Sequence, residues 1–409
     1  MVFSDLLDSG FVPNQDKSTW YPVQDLIFLG IGANMKEGVL YIPAEKLANI
    51  KKQITKVLHS RGVTARMLAS VAGKITSLNL VVGNVTNLMT KYSHFAICAR
   101  ERWDSYFSLS DDVKQELNFW LSNLDSLKVK PLKDVTVTSR IVYSDASSVA
   151  CGGYTVGVRD SVVHRAWTLE ESKKSSAWRE LVGVFTVLTS VIHLLKGQNV
   201  KWFTDNQAVV RIIEKGSMKA DLQYYALQIY RICVLNNIRL EMQWVPRGQN
   251  ERADYISKYV DTDDWGVTQS FFRKLDLQWG PHDIDRFANS QNTKLIRFNS
   301  RMWCPGSEGL DAFSFNWKGQ NNWLVPPVYL VPRVIKHLKL CGGEGTLVVP
   351  LWKSAAFWPL LVDSKGVYNS FIVDNIIFHK ANDIFVQGSI KSIFDNSFKS
   401  PVVALRIKF

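Results

Sequence analysis

Along residues 1–40 the apolar positions fall in short runs punctuated by Gly10, Pro13 and Gly30, a pattern that predicts short strands and turns. Residues 44–124 read as mostly helical. Leu47, Ile50, Ile54, Val57 and Leu58 form one apolar face, while Lys46, Lys51, Lys52, Lys56, Arg61, Arg66 and Lys74 make the same block basic. Ser110, followed by Asp111 and Asp112, predicts a helix start in which the hydroxyl caps free amides and the acids complement the dipole. That helix continues through Leu117, Trp120, Leu121 and Leu124, and the stretch from Lys128 to Thr138, containing Pro131, reads as a linker.

Beyond the linker the period changes. Ile141–Asp145 and Val200–Asp205 read as strands, each closed by an acid. Leu181, Phe185, Leu188, Ile192 and Leu195 recur at helical spacing behind Glu180, so the glutamate opens a helix that packs on a sheet. Ile238, Leu240, Met242 and Trp244 alternate as a strand, and after the breaker Pro246-Arg247-Gly248-Gln249-Asn250 a further helix begins with Asp254. Trp202 and Trp244, on alternating strands, are expected in the core, given how much apolar area an indole buries.

Four carboxylates at element ends point to a cation site. Two divalent ions roughly 3.5–4 Å apart activate a water and stabilise the leaving oxygen of a phosphodiester, and several carboxylates are needed to hold them. Oxygen ligands suit two magnesium ions, or manganese; the seven histidines and five cysteines show no paired spacing that would favour zinc. A formal charge of +12 favours a polyanionic partner, because each Lys or Arg that neutralises a phosphate releases a counterion. No apolar run approaches the roughly 18–20 residues of a bilayer span, no secretory signal is visible, and the scattered Cys98, Cys151, Cys233, Cys304 and Cys341 fit reduced thiols. The expectation is an intracellular protein of cytoplasm or nucleus with no membrane association.

Tyr143-Ser144-Asp145-Ala146-Ser147 with Gly152-Gly153-Tyr154, Trp178-Arg179-Glu180-Leu181, Phe203-Thr204-Asp205-Asn206-Gln207-Ala208-Val209 and Asn250-Glu251-Arg252-Ala253-Asp254 together resemble type 1 ribonuclease H. The resemblance implies that Asp145, Glu180, Asp205 and Asp254 bind metal and cleave the RNA strand of an RNA–DNA hybrid. It places Asp145 on both ions, Glu180 and Asp205 on one, and Asp254 on the other. Cellular members usually carry a His before the last motif, where Pro246–Gln249 has none.

Gly10-Phe11-Val12-Pro13-Asn14, Lys17-Ser18, Phe28-Leu29-Gly30 and Ile42-Pro43 with Lys46 look like the end of a reverse transcriptase palm and the start of its thumb. The whole order is similar to the polyprotein of DIRS-type retrotransposons. It implies an α/β multi-domain chain: 1–43 palm end, 44–134 helical thumb and connection, 135–260 a ribonuclease H-like mixed five-stranded sheet with flanking helices, and 261–409 an α/β methyltransferase-like domain. The polymerase aspartates are not among these residues, and Asp263-Asp264 lacks the strand–turn–strand context to replace them, so no DNA synthesis is expected of this chain.

The last domain is expected to be inactive. Asp283–Asn289, Asp311–Trp317, Val325-Pro326-Pro327-Val328 and Thr346–Pro350 are distantly similar to phage-type DNA adenine methyltransferases, but Val325 and Val328 stand where active members hold a hydrogen-bonding residue and an aromatic for a flipped adenine. Gly342–Gly345 reads as a turn. Three functions therefore stand: a hybrid-cleaving hydrolase, a catalytically decayed retroelement fragment that binds hybrid or DNA duplex by charge, and a methyltransferase-like protein.

Overall fold

The computed structural model describes every residue except 1, 16–17, 134–136, 261–264, 381–382, 387–393 and 395–397. Lys17, Asp263-Asp264, residues 134–136 of the expected linker and the expected boundaries at 134/135 and 260/261 thus lie outside the described residues. The chain divides into two compact units, one of residues 1–136 with 214–223 and one of residues 137–213 with 224–409.

The first unit joins a small antiparallel sheet to a helical stack. The helix Ala44–His59 buries Leu47, Ile50, Ile54 and Val57, as the spacing predicts, and leaves Leu58 half-buried. Ser110 caps the helix Asp111–Asn123, its hydroxyl accepting from Val113 N at 3.4 Å. Trp120 of that helix is fully buried and its indole donates to the Met89 carbonyl at 2.8 Å. Glu116, also buried, accepts from the amides of Tyr92 and Ser93 and from the Ser93 hydroxyl, satisfying the free start of the helix Lys91–Cys98.

Two expectations change here. Val2–Asp8 is a helix, where strands and turns were expected. Val129–Pro131, inside the expected linker, is an edge strand that pairs with Val39–Tyr41. An edge tolerates proline because one row of its amides needs no partner in the sheet.

The second unit contains the five-stranded mixed sheet. Its strands are β1 (Arg140–Ala146), β2 (Ala150–Thr155), β3 (Val163–Ala166), β4 (Asn199–Thr204) and β5 (Arg239–Trp244), in the order β5-β4-β1-β2-β3. β4 runs parallel to β1 and β5, while β2 is antiparallel to β1 and β3. Helix α1 (Ser176–Ser190) covers one face with Leu181, Val184, Val187 and Leu188 fully buried. The expected apolar stripe does not stay in one helix: it breaks at Val191, and Ile192–Leu195 forms a separate turn. Helix α2 (Glu251–Lys258) crosses the other face.

Two glycines on β2 let both helices approach. A Cβ on Gly152 would meet Ile256 of α2 at 2.3 Å, and one on Gly153 would meet the Tyr143 carbonyl at 2.5 Å and Val187 of α1 at 2.9 Å. Beyond β3 the sheet gains one isolated bridge, Val163 to Trp303, fastened by His164 N to Trp303 O (3.1 Å) and by Trp303 Nε1 to Asp160 O (2.7 Å).

A second mixed sheet follows, with β6 (Ile284–Asp285), β7 (Asn321–Leu324), β8 (Glu344–Pro350), β9 (Ile372–Phe378) and β10 (Val402–Lys408) in the order β6-β7-β8-β10-β9. Successive residues of β8 enter opposite cores: Val348 joins Trp323, Phe272 and Ala404, whereas Leu347 and Val349 join Leu324, Leu338 and Leu405. A strand covered on both faces reads as an unbroken apolar run, and Leu347-Val348-Val349-Pro350 does. Gly342, left-handed at φ 59°, ends the helix Val331–Cys341, and Gly342-Gly343 turn into β8, whose first residues Glu344 and Gly345 are already strand where a turn was expected.

Candidate metal centre

Asp145, next to last in β1, and Asp205, immediately after β4, sit side by side because β1 and β4 are neighbouring parallel strands. Glu180 comes from α1, whose first turn is capped by the Ser175 hydroxyl accepting from Trp178 N. The helix starts at Ser176, so Glu180 lies in its second turn and does not open it. One carboxylate oxygen from each of these three residues lies within 4.8 Å of the other two. They line an open cleft of about 450 Å³, which Asp254, Arg247, Lys258, Asn206 and Ser147 also line.

The three clustered acids are not equivalent. Asp145 is buried and Oδ2 accepts from the Ser257 hydroxyl at 2.6 Å. Burial pushes its carboxyl above the ordinary value; the Ser257 hydrogen bond opposes this, and the charges of Asp205 and Asp254 add to it. Glu180 is only 6% exposed and its Oε2 has no hydrogen-bond partner. Burial first, then the charges of Asp145 and Asp205, push this carboxyl up to about 9. An ionised oxygen with no donor in a buried site is costly, and a cation at that point removes the cost.

Asp254 faces the same cleft but is already neutralised. Oδ1 accepts from Arg247 at 2.6 Å and Oδ2 from Lys258 at 2.5 Å. Burial acts to raise its pKa, yet Lys258 and Arg247 outweigh burial and hold it below the ordinary carboxylate range. Asp254 is the fourth residue of α2, which begins at Glu251, three residues before the start at Asp254 that the sequence pattern suggests.

Helix α2 is fixed to β1 by buried polar contacts that the motif pattern does not reveal. Asn250 Nδ2 donates to the Ser144 carbonyl at 3.0 Å, and the Ser257 hydroxyl reaches Asp145. The available signal for Ser257 and Lys258 is their helical spacing from Asp254, three and four residues on, which puts all three within one turn of each other. On the far side of the sheet, Trp202 is fully buried as expected, with its indole donating to Ser144 Oγ at 2.8 Å.

Trp244 departs from expectation. It is 42% exposed, and its indole donates to the Asp205 carbonyl at 3.0 Å. β5 is the sheet's edge, so among the described residues no strand lies on its outer side beyond Trp244 to help cover the ring.

Val325 is buried in the apolar core, and the adjacent Pro326 carbonyl accepts from the Trp265 indole at 2.9 Å. Among the described residues, Asp145, Glu180 and Asp205 form the single group of three or more His, Cys, Asp or Glu placed to hold a metal ion. Among them, too, no helix is long and apolar enough to cross a membrane.

No family model matches the chain, and no curated protein matches it significantly. Among solved structures, a foamy viral protease–reverse transcriptase in complex with double-stranded DNA aligns over 60% of this chain at 17% identity and a TM-score of 0.27, and this chain spans 41% of its length. LC11-RNase H1 in complex with an RNA/DNA hybrid aligns over 29% of this chain and 93% of its own, at 16% identity and a TM-score of 0.26. RNase H1 from the halophilic archaeon Halobacterium salinarum NRC-1 aligns over 29% and 92%, at 17% identity and a TM-score of 0.25. At TM-scores this low, the function has to be judged from the site's own geometry.

Proposed function

We propose that this chain is a divalent-metal-dependent ribonuclease that hydrolyses the RNA strand of RNA–DNA hybrids, with Asp145, Glu180, Asp205 and Asp254 as its metal-binding acids. The observation that carries this is the buried Glu180, which has one oxygen without a partner and whose carboxylate converges with Asp145 and Asp205. The residues fit a hard cation: the converging donors are carboxylate oxygens, and no sulfur or imidazole joins them. The choice of RNA–DNA hybrid rests on the sequence motifs around the four acids, which share their order with type 1 ribonuclease H.

When bound, two magnesium or manganese ions would supply an activated water and stabilise the leaving oxygen of the phosphodiester. The remaining work belongs to the chain's own residues. Ser257 orients Asp145 by donating to Oδ2, which leaves the other carboxylate oxygen for the cleft. Asn250 anchors α2 to β1, so the distance between Asp254 and the triad is set by a buried hydrogen bond. Arg247 and Lys258 place positive charge on the rim of an otherwise acidic cleft, where a phosphodiester would be repelled without them.

The test is cleavage of a labelled RNA–DNA hybrid by the full chain with magnesium, beside the Asp205→Asn variant. Cleavage should require magnesium and vanish in the variant while hybrid binding persists. Cleavage that survives chelation or the substitution would defeat the proposal. A chain that binds hybrid with equal affinity in chelator, and never cleaves it, would instead be a non-catalytic binder.

A further inference from the structure

The cleft contains a charge imbalance that the four acids alone do not suggest. Its ionisable lining consists of Asp145, Glu180, Asp205 and Asp254 with Arg247 and Lys258. Once a bound cation displaces the Glu180 proton, four ionised carboxylates against two cations leave two negative charges, which one divalent cation offsets. A second divalent cation would leave the cleft positive, and the acid expected to hold it, Asp254, has both oxygens occupied.

The two occupying cations differ in how they are held. Lys258 is on the same helix as Asp254, at i+4, and its partnership is built into α2. Arg247 reaches in from the 3-10 turn Arg247–Gln249, with a side chain 69% exposed. An exposed ion pair of this kind is weak and screened by water, so a better anion can exchange it. A phosphodiester is such an anion, because its oxygens accept the planar guanidinium fork in two-pronged fashion.

We propose that Arg247, Asp254 and Lys258 form a counter-ion latch that limits the free cleft to one divalent cation, and that an incoming phosphodiester opens it by drawing Arg247 off Asp254. The proposal rests on the metal-dependent function above and adds a rule for how the site is loaded. Asp145, Glu180 and Asp205 take the first cation. Arg247 passes from carboxylate to phosphate, one negative charge enters with the nucleic acid, and Asp254 is freed for the second cation. Arg247 is thus a positioning residue that couples metal loading to substrate arrival, and it stands in the loop where a His was expected from the family pattern.

The experiment is a titration of the full chain with manganese at neutral pH, read by calorimetry and by the electron paramagnetic resonance signal of free manganese, with no turnover involved. The wild-type chain should bind one ion, and a second only after addition of a hybrid whose RNA strand carries 2′-O-methyl groups that block hydrolysis. Arg247→Ala should bind two ions without hybrid, the second tightened roughly tenfold by removal of one positive charge. Arg247→Lys should restore the count of one, and Arg247→Ala combined with Asp254→Asn should return it to one, which separates the latch from a general change in fold. Two ions of similar affinity on the free wild-type chain, or one ion on Arg247→Ala, would overturn the latch while leaving the metal centre standing. Binding of no ion, or of one that Asp145→Asn does not weaken, would overturn the metal centre itself and the latch with it.

Discussion

Glu180→Gln is expected to stabilise the chain at neutral and alkaline pH when divalent ions are removed. Glu180 takes up a proton on folding, because its carboxyl is pushed from 4.5 to about 9. The sign follows from linkage. A carboxyl whose folded pKa lies above its unfolded value contributes stability that is complete below about pH 4.5 and is lost as pH rises, until it is gone near pH 9. At ~1.4 kcal/mol per pH unit, the loss is about 3 kcal/mol at pH 7 and about 6 kcal/mol at pH 9. Glutamine has nearly the same shape and no titration, and its carbonyl oxygen can accept the Ala146 amide that Glu180 now uses.

The measurement is chemical denaturation of both chains at pH 5, 7 and 9 in chelator, repeated with magnesium. The difference between variant and wild type should grow with pH in chelator. Magnesium should then stabilise only the wild type, by about 2.7 kcal/mol at a concentration 100 times Kd. Parallel pH curves for the two chains, or equal stabilisation of both by magnesium, would refute the placement of Glu180 as a buried, cation-requiring carboxylate.

Ser257→Ala removes the hydroxyl that donates to Asp145 at 2.6 Å, and should weaken manganese binding by roughly 10- to 100-fold in calorimetry, as loss of a ligand's supporting hydrogen bond does. Because that bond favours the ionised form, the acid limb of the activity profile should also move to higher pH in this variant. Gly153→Ala places a methyl 2.5 Å from the immovable Tyr143 carbonyl and should cost at least ~1–3 kcal/mol in urea denaturation; an unchanged midpoint would show that α1 and β2 are not packed this closely. Glu116→Gln turns an acceptor of three donors into a group with only one accepting atom, and should cost ~1–3 kcal/mol by the same assay.

Much of this was legible in the chain. The strand ends at Asp145 and Asp205, the Ser110 cap and the apolar face of Ala44–His59 come from local periodicity and local hydrogen bonds; the structure puts both strand ends within one residue of the acids, shows the cap, and buries the face except for the half-buried Leu58. The failures share a cause. Val2–Asp8 is a helix of only seven residues, too short for the helical spacing of Val2, Phe3, Leu6 and Leu7 to stand out beside the turn residues that follow, and the Val129–Pro131 strand exists because Val39–Tyr41, far earlier in the chain, offers it an edge. Trp244 alternates correctly with Met242, but alternation does not say that its strand lies at the sheet's edge.

The division is clearest at the metal centre. Sequence determined the four acids, their order and the elements that carry them, because a carboxylate at the end of a periodic run is a local signal. Tertiary structure alone decided that three of them converge while the fourth is held by Arg247 and Lys258, and that one Glu180 oxygen has no donor. Ser257 and Asp145 are 112 residues apart in the chain and 2.6 Å apart in space, a proximity that depends on how α2 crosses β1. Burial and Coulomb interactions act through space, so the charge state of each acid belongs to the packed cleft, whereas its position on a strand or helix belongs to its neighbours in sequence.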